Sequence, residues 1–140
     1  MRNGRGTYAF QNGSKFTGNF VDNKIHGKGK FDFAIGCFYR GEFQRNVQHG
    51  RGTYTWLNGA TYKGMFSLGK ISGFGEMIYA DFHKYSGSWA NNKKNGFGVF
   101  SYRRGHVYEG EWREDIRQGK GKMSFFPNSM AEEVRTRKYL

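Results

Sequence analysis

Four histidines (His26, His49, His83 and His106) and one cysteine (Cys37) are the side chains of this 140-residue chain best suited to chemistry near neutral pH. A catalytic nucleophile needs a base and an orienting group held beside it. The histidines are too dispersed for that: His26 and His49 stand 23 residues apart, and so do His83 and His106. One histidine per 23 residues is also poor metal geometry, since a zinc site draws three or four ligands together. A hydrogen bond that orders the chain locally is the expected role of His26 and His49, and His83 and His106 read as surface residues. Pairs of the form Gly-x-Gly recur, but no Lys-Ser/Thr and no helix follows them, so they are not phosphate loops. Cys37 stands alone, which excludes a disulfide framework, points to a reducing compartment and fits a structural thiol. The chain reads as no enzyme, with no cofactor and no metal.

What remains is charge. Lys and Arg number 23 against 11 Asp and Glu, a net +12. Such a balance favours anionic partners: acidic lipid, nucleic acid or an acidic protein surface. Where those charges lie depends on the elements that carry them.

The Gly-x-Gly pairs supply the frame. They begin at Gly4, Gly27, Gly50, Gly73, Gly96 and Gly119, and every gap is 23 residues. Five units run 4–26, 27–49, 50–72, 73–95 and 96–118, with a half unit at 119–126. A fixed period means like modules stacked in a line, each too small to bury its own face. Counted from the first glycine, aromatics gather at positions 5, 7, 13 and 17. Position 13, for example, holds Phe16, Tyr39, Tyr62, Tyr85 and Tyr108. Spacing by two with aromatics is the signature of strands, not helices. Positions 8–10 read as three-residue hairpin turns ending in glycine, as in Gln-Asn-Gly at 11–13 and Leu-Asn-Gly at 57–59. That turn pairs position 5 with 13, 3 with 15 and 1 with 17, and paired residues then share a face. The glycines at positions 1, 3 and 15 leave room for rings to lie over the backbone. In the fourth unit Phe82 takes the place of the turn glycine, which predicts a remodelled turn, because a bulky left-handed residue is unfavourable. Positions 18–23 read as polar, variable links.

The expected fold is all-β: an elongated, single-layer, twisted antiparallel sheet of stacked hairpins. Its odd-numbered face holds the rings. Its even-numbered face carries a basic ladder: Arg5, Lys15, Lys28, Lys30, Arg40, Arg51 and Lys63 in the first three units, then Lys120 and Lys122. A solvated face that keeps a flat sheet soluble is the alternative to an anion-binding surface. In the fourth and fifth units the same face carries Phe74, Ile78, Phe97, Val99 and Val107, a candidate protein-binding patch. Cover by the chain's own tail is the alternative there. Pro127 stops the last strand. Residues 127–140 read as a tail, either a short helix or flexible.

Tyr-Glu-Gly-Glu-Trp at 108–112, Tyr-Arg-Gly-Glu-Phe at 39–43 and His-Gly-Lys-Gly at 26–29 resemble the MORN (membrane occupation and recognition nexus) repeat family, over residues 4 to about 126. The resemblance implies the single-layer sheet of hairpins. It also implies a non-catalytic role in scaffolding, in cytoskeletal assembly such as cilia and axonemes, or in membrane-associated structures. The expected partners are other proteins of a larger assembly, with acidic or cytoskeletal surfaces, in the cytoplasm, cytoskeleton or cilium. Peripheral binding to acidic phospholipids through the basic face is the alternative. End-to-end or homo-oligomeric contacts would suit the open sheet ends. Nucleic acid is disfavoured, because most rings are needed to hold hairpins and lie opposite the basic face. No apolar run approaches 18 residues, so no spanning helix is expected, and the opening Met-Arg-Asn-Gly-Arg-Gly is not read as a signal peptide.

Overall fold

Rings on alternate residues can be buried together only if the chain is extended and pleated, and the chain takes that course throughout. The computed structural model describes residues 3–125; the tail expected at 127–140 lies outside them. Eleven strands follow one another: β1 (Gly4–Ala9), β2 (Lys15–Val21), β3 (Lys24–Asp32), β4 (Phe38–Gln44), β5 (Val47–Thr55), β6 (Thr61–Ser67), β7 (Lys70–Ile78), β8 (Lys84–Ala90), β9 (Lys93–Ser101), β10 (His106–Arg113) and β11 (Ile116–Phe125). They form one open antiparallel sheet in sequence order.

The hairpin register is the expected one. In β1–β2, Gly4 faces Phe20, Gly6 faces Gly18 and Tyr8 faces Phe16. The same triple recurs at Gly27/Phe43, Gly29/Gly41 and Phe31/Tyr39. The turn is closed by Phe10 N–H donating to Ser14 O at 2.8 Å and Gly13 N–H donating to Phe10 O at 3.0 Å. Gly13 is left-handed at φ +97°.

Three expectations need correction. The turn at Phe82 is not remodelled. Phe82 takes φ +75°, Tyr79 N–H reaches His83 O at 2.8 Å, and Met77 still faces Tyr85. The ladder on both sides outweighs the local steric penalty. Second, positions 18–23 are mostly strand, not link. Each unit joins the next through a two-residue turn with both central residues at positive φ: Asp22-Asn23 (51°, 69°), Arg45-Asn46 (47°, 75°) and Asn91-Asn92 (49°, 71°). That is the hairpin turn whose twist matches the strands. Third, the glycine opening each unit serves conformation more than room. Gly27, Gly50, Gly73 and Gly96 lie between φ +81° and +103°, inside a bulge. There His26, Gly27 and Lys28 face Asn19 alone, between Gly18–Gly29 and Phe20–Ile25.

The core is a chain of rings on the odd face. Each position-13 ring stands edge-on to the position-17 ring of its own unit and of the next. Tyr39 meets Phe43 at 5.0 Å and Phe66 at 5.0 Å; Tyr62 meets Phe66 at 5.3 Å and Trp89 at 5.5 Å; Tyr85 meets Trp89 at 5.1 Å and Trp112 at 5.5 Å. Edge-to-face pairs add about 0.5–1.5 kcal/mol each beyond area burial. Glycines at positions 15 and 3 make the floor: a Cβ at Gly29 would sit 2.6 Å from Phe16 Cζ. The tyrosine hydroxyls then reach carbonyls facing the bulges, Tyr39 to Glu42 O at 2.8 Å and Tyr62 to Met65 O at 3.0 Å.

Side-chain acceptors tie one unit to the next. Asn46 Oδ1 accepts from Ile25 N–H at 2.8 Å while Asn46 N–H donates to Ile25 O at 3.0 Å. Asn92 repeats this on Ile71. His49 does order its neighbour, as expected: its Nδ1 accepts from Leu68 N–H at 3.1 Å. A unit therefore depends on its neighbours for hydrogen bonds as well as burial.

Candidate functional site

Because the rings complete the core on the odd face, side chains of the even face are free of packing duty. Strand pairing sets them in rows. One row runs Thr17, Lys30, Arg40, Thr53, Lys63, Glu76, with Lys30 directly opposite Arg40 and Lys63 opposite Glu76. A second holds Arg5 opposite Asn19, Lys28 opposite Glu42 and Arg51 opposite Met65. A third has Lys15 between Ala9 and Asp32.

Five of the expected basic residues meet in one place. Arg5, Lys15, Lys28, Lys30 and Arg40, with Thr17, Asp32 and the backbone of Gly29 and Gly41, line a groove of about 520 Å³ across β1–β4. Within it Lys30 Nζ lies 3.4 Å from Asp32 and 4.8 Å from the centre of the Phe38 ring. Glu42 turns towards the backbone, accepting from Arg51 N–H at 3.3 Å. Both nearby carboxylates are thus engaged, and Arg5, Lys15, Lys28 and Arg40 are exposed. Like charges directly opposite one another weaken a sheet, so Lys30 against Arg40 is tolerated and not chosen for stability. Arg51 and Lys63 continue the cationic surface onto β5 and β6.

Lys120 and Lys122 do not join that groove. They line a separate depression of about 550 Å³ with Phe97, Glu109 and Glu111, where Lys122 is directly opposite Glu109. The apolar residues of this half are also less united than the sequence suggests. Phe74 and Phe97 are well exposed, at 64% and 55%, and flank Ser88: Phe74 is its partner, and Phe97 lies in the bulge on its other side. Ile78 sits opposite Lys84, Val99 between Ser86 and Glu109, and Val107 opposite Ser101 and Ser124. Polar residues interrupt the patch, leaving the two phenylalanines as its exposed centre.

Sequence reasoning missed Lys94. An even-numbered position puts it on the basic face by simple alternation, but the bulge reverses the alternation and turns it into the rings. Its Nζ lies 5.1 Å from the Trp112 ring centre and 5.7–5.8 Å from those of Tyr79, Tyr85 and Phe100. It donates to Tyr79 Oη at 3.4 Å and lies 3.5 Å from Asp115. Ile25 and Ile71 occupy the same position in other units and are buried; their presence was the available signal. Burial, with the charges of Asp115 and Asp81 behind it, pushes the Tyr79 hydroxyl up to about 12. Tyr62 is likewise pushed up to about 12 by burial. Among the described residues no three His, Cys, Asp or Glu come together as a metal site, and no helix is long and apolar enough to cross a membrane.

Comparison with known proteins agrees with the repeat frame. The family model described as "MORN repeat" matches residues 1–15, 16–38, 39–61, 62–84, 85–107 and 108–130. Its frame starts at the position-13 ring instead of the glycine, with the same period. Among solved structures, the TCP domain of SAS-4 (dCPAP) of Drosophila melanogaster, in complex with a proline-rich motif of Ana2 (dSTIL), is similar in fold. The TM-score is 0.59 at 12% identity, covering 97% of this chain and 71% of that one. A search of the curated proteins found no match.

Proposed function

We propose, from the premise that this chain belongs to the MORN repeat family, that it is a non-enzymatic docking scaffold whose even face holds acidic protein surfaces. The observation that carries this reading is the groove where Arg5, Lys15, Lys28, Lys30 and Arg40 converge with Asp32 paired to Lys30. A row of stacked cations on a rigid sheet raises the local concentration of an anionic partner and orients it. Phe74 and Phe97 provide a second, apolar contact on the same face. The SAS-4 TCP domain, of similar fold, is described with a proline-rich motif of another protein, which supports protein partners in general. A cytoplasmic cytoskeletal or ciliary assembly, in which acidic polymer surfaces abound, is the setting we propose.

Acidic phospholipid is the second reading, favoured by the openness of the cationic face. Each Lys or Arg near an anionic membrane is worth about 1 kcal/mol, enough for reversible adhesion. One experiment separates the two. The full chain and the triple variant Lys28→Glu, Lys30→Glu, Arg40→Glu are sedimented with assembled microtubules and, separately, with vesicles containing phosphatidylserine. Microtubule binding lost in the variant, with no vesicle binding, supports the scaffold. Vesicle binding lost in the variant, without microtubule binding, replaces it with the lipid reading. Binding that ignores the variant removes the groove from both.

A further inference from the structure

The turn edge of the fourth and fifth units carries features that the basic groove does not use. Phe82 is left-handed at φ +75°, where Gly13, Gly36, Gly59 and Gly105 stand in the other three-residue turns. Its side chain is 71% exposed. A bulky residue held in an unfavourable conformation and packed against little gives the fold nothing in return. Strain of that kind at an exposed position is a pointer to function.

Beside it lies a cavity of about 410 Å³, lined by Asp81, His83, Tyr102, Arg103 and Arg104 from the two turns, by His106 at the start of β10 and by Met123 from β11. Its charges are already sorted. His83 Nδ1 accepts from Arg103 N–H at 2.9 Å, and His83 Nε2 faces the Asp81 carboxylate at 3.5 Å. Asp81 is thereby turned towards the histidine. Arg103 and Arg104 remain exposed on the rim. His106 stands edge-on to Phe125 at 4.6 Å, and Tyr102 and His83 pack at 5.4 Å, so the walls are aromatic.

We propose that this edge is a docking site for an acidic peptide segment carrying an apolar side chain. The apolar side chain packs on Phe82 and the aromatic wall, and flanking carboxylates pair with the guanidinium groups of Arg103 and Arg104, which suit carboxylates by their bidentate geometry. The site is distinct from the groove on β1–β4, and it would stand if the reading of that groove failed.

The test uses the full chain and a fluorescent peptide of glutamates and aspartates flanking one Leu-Phe pair, read by anisotropy at moderate salt. Binding is expected, weakened at least tenfold by Phe82→Gly and at least tenfold by the double change Arg103→Glu, Arg104→Glu. Lys28→Glu with Arg40→Glu should change it less than twofold. Phe82→Gly restores the glycine that the other turns use, so its loss of binding cannot be ascribed to unfolding. Absence of binding by the wild type, binding unchanged in both edge variants, or loss confined to the groove variant each overturns the proposal.

Discussion

Replacing Gly75 by alanine puts the role of the paired glycines to a quantitative test. Gly75 does not lie in the left-handed region, and alanine at such a site ordinarily stabilises by about 0.4–1 kcal/mol through the unfolded chain. Here the added Cβ would overlap Oη, Cζ and Cε1 of Tyr62. That ring is fully buried, lies over Gly75 and its strand partner Gly64, where a Cβ would stand 2.6 Å from Oη, and is flanked edge-on by Phe66 and Trp89. It has nowhere to shift, so it must leave its slot. Leaving breaks the hydrogen bond to Met65 O, worth about 1 kcal/mol, and the edge contacts with Phe66 and Trp89, about 0.5–1.5 kcal/mol each. Deleting a buried aromatic outright costs about 3–5 kcal/mol, which sets the ceiling. A net loss of about 2–3 kcal/mol is expected, read from urea unfolding followed by tryptophan fluorescence. The decisive arm is the double-mutant cycle with Tyr62→Ala. In that background Gly75→Ala should be neutral or mildly stabilising. An equal cost in both backgrounds, or a more stable single mutant, would refute the argument that the glycine exists to seat the ring.

Phe82→Gly should stabilise by about 0.5–1 kcal/mol, since relief of left-handed strain exceeds the added freedom of the unfolded chain; calorimetry should show a rise of roughly 2–3 °C. Lys94→Ala should cost about 2–3 kcal/mol through lost cation–π attraction and packing, whereas Lys94→Ile should cost less than about 1 kcal/mol, because Ile25 and Ile71 fill the same slot; chemical denaturation of the two variants side by side checks the ordering. Alkaline pH should weaken the fold. Tyr62 and Tyr79 are pushed up to about 12 by burial, so the folded chain favours their neutral forms more strongly than the unfolded chain does. That contribution is complete below the unfolded value near 10 and is lost as pH rises towards 12. Urea midpoints should be flat to pH 10 and fall above it, and Tyr62→Phe should make the fall shallower.

The three-residue hairpins were legible because ring pairing and glycine pairing allow only one register: Tyr8 on Phe16 and Gly6 on Gly18 cannot both be satisfied by a shorter turn. The second set of turns was missed for a physical reason. Counting by twos fails across the bulge, where His26, Gly27 and Lys28 face one residue, so strand continuity through positions 18–23 is invisible to alternation. The signal lay in Asp22-Asn23, Asn46, Gly69 and Asn91-Asn92, residue types that tolerate positive φ. Lys94 was hidden by the same reversal. Phe82 misled in the opposite sense: local preference argued for a different turn, and the strands flanking it held the common one. Of the basic residues, the groove-forming cluster was readable as a list, but which five converge and which two lie instead beside Glu109 and Glu111 follows only from the row geometry.

That geometry also bears on why the charge is there. If cations on the even face served only to keep an open sheet soluble, both halves would need them equally, because the ring face is built alike from Phe20 to Trp112. They are not shared equally. Across β1–β6 the face carries Arg5, Lys15, Lys24, Lys28, Lys30, Arg40, Arg51 and Lys63 against Asp32 and Glu42; across β7–β11 it carries Lys70, Lys84, Lys93, Arg113, Lys120 and Lys122 against Glu76, Glu109 and Glu111. The second half offsets more of its charge, and its pairs Glu76–Lys84 at 3.3 Å and Glu109 opposite Lys122 show that the same backbone accommodates such pairing readily. The first half sets Lys30 directly against Arg40 and accepts the repulsion. An excess of cations that is larger in the first half, on a face that the core does not constrain, fits the surface we propose for an anionic partner better than it fits solubility alone.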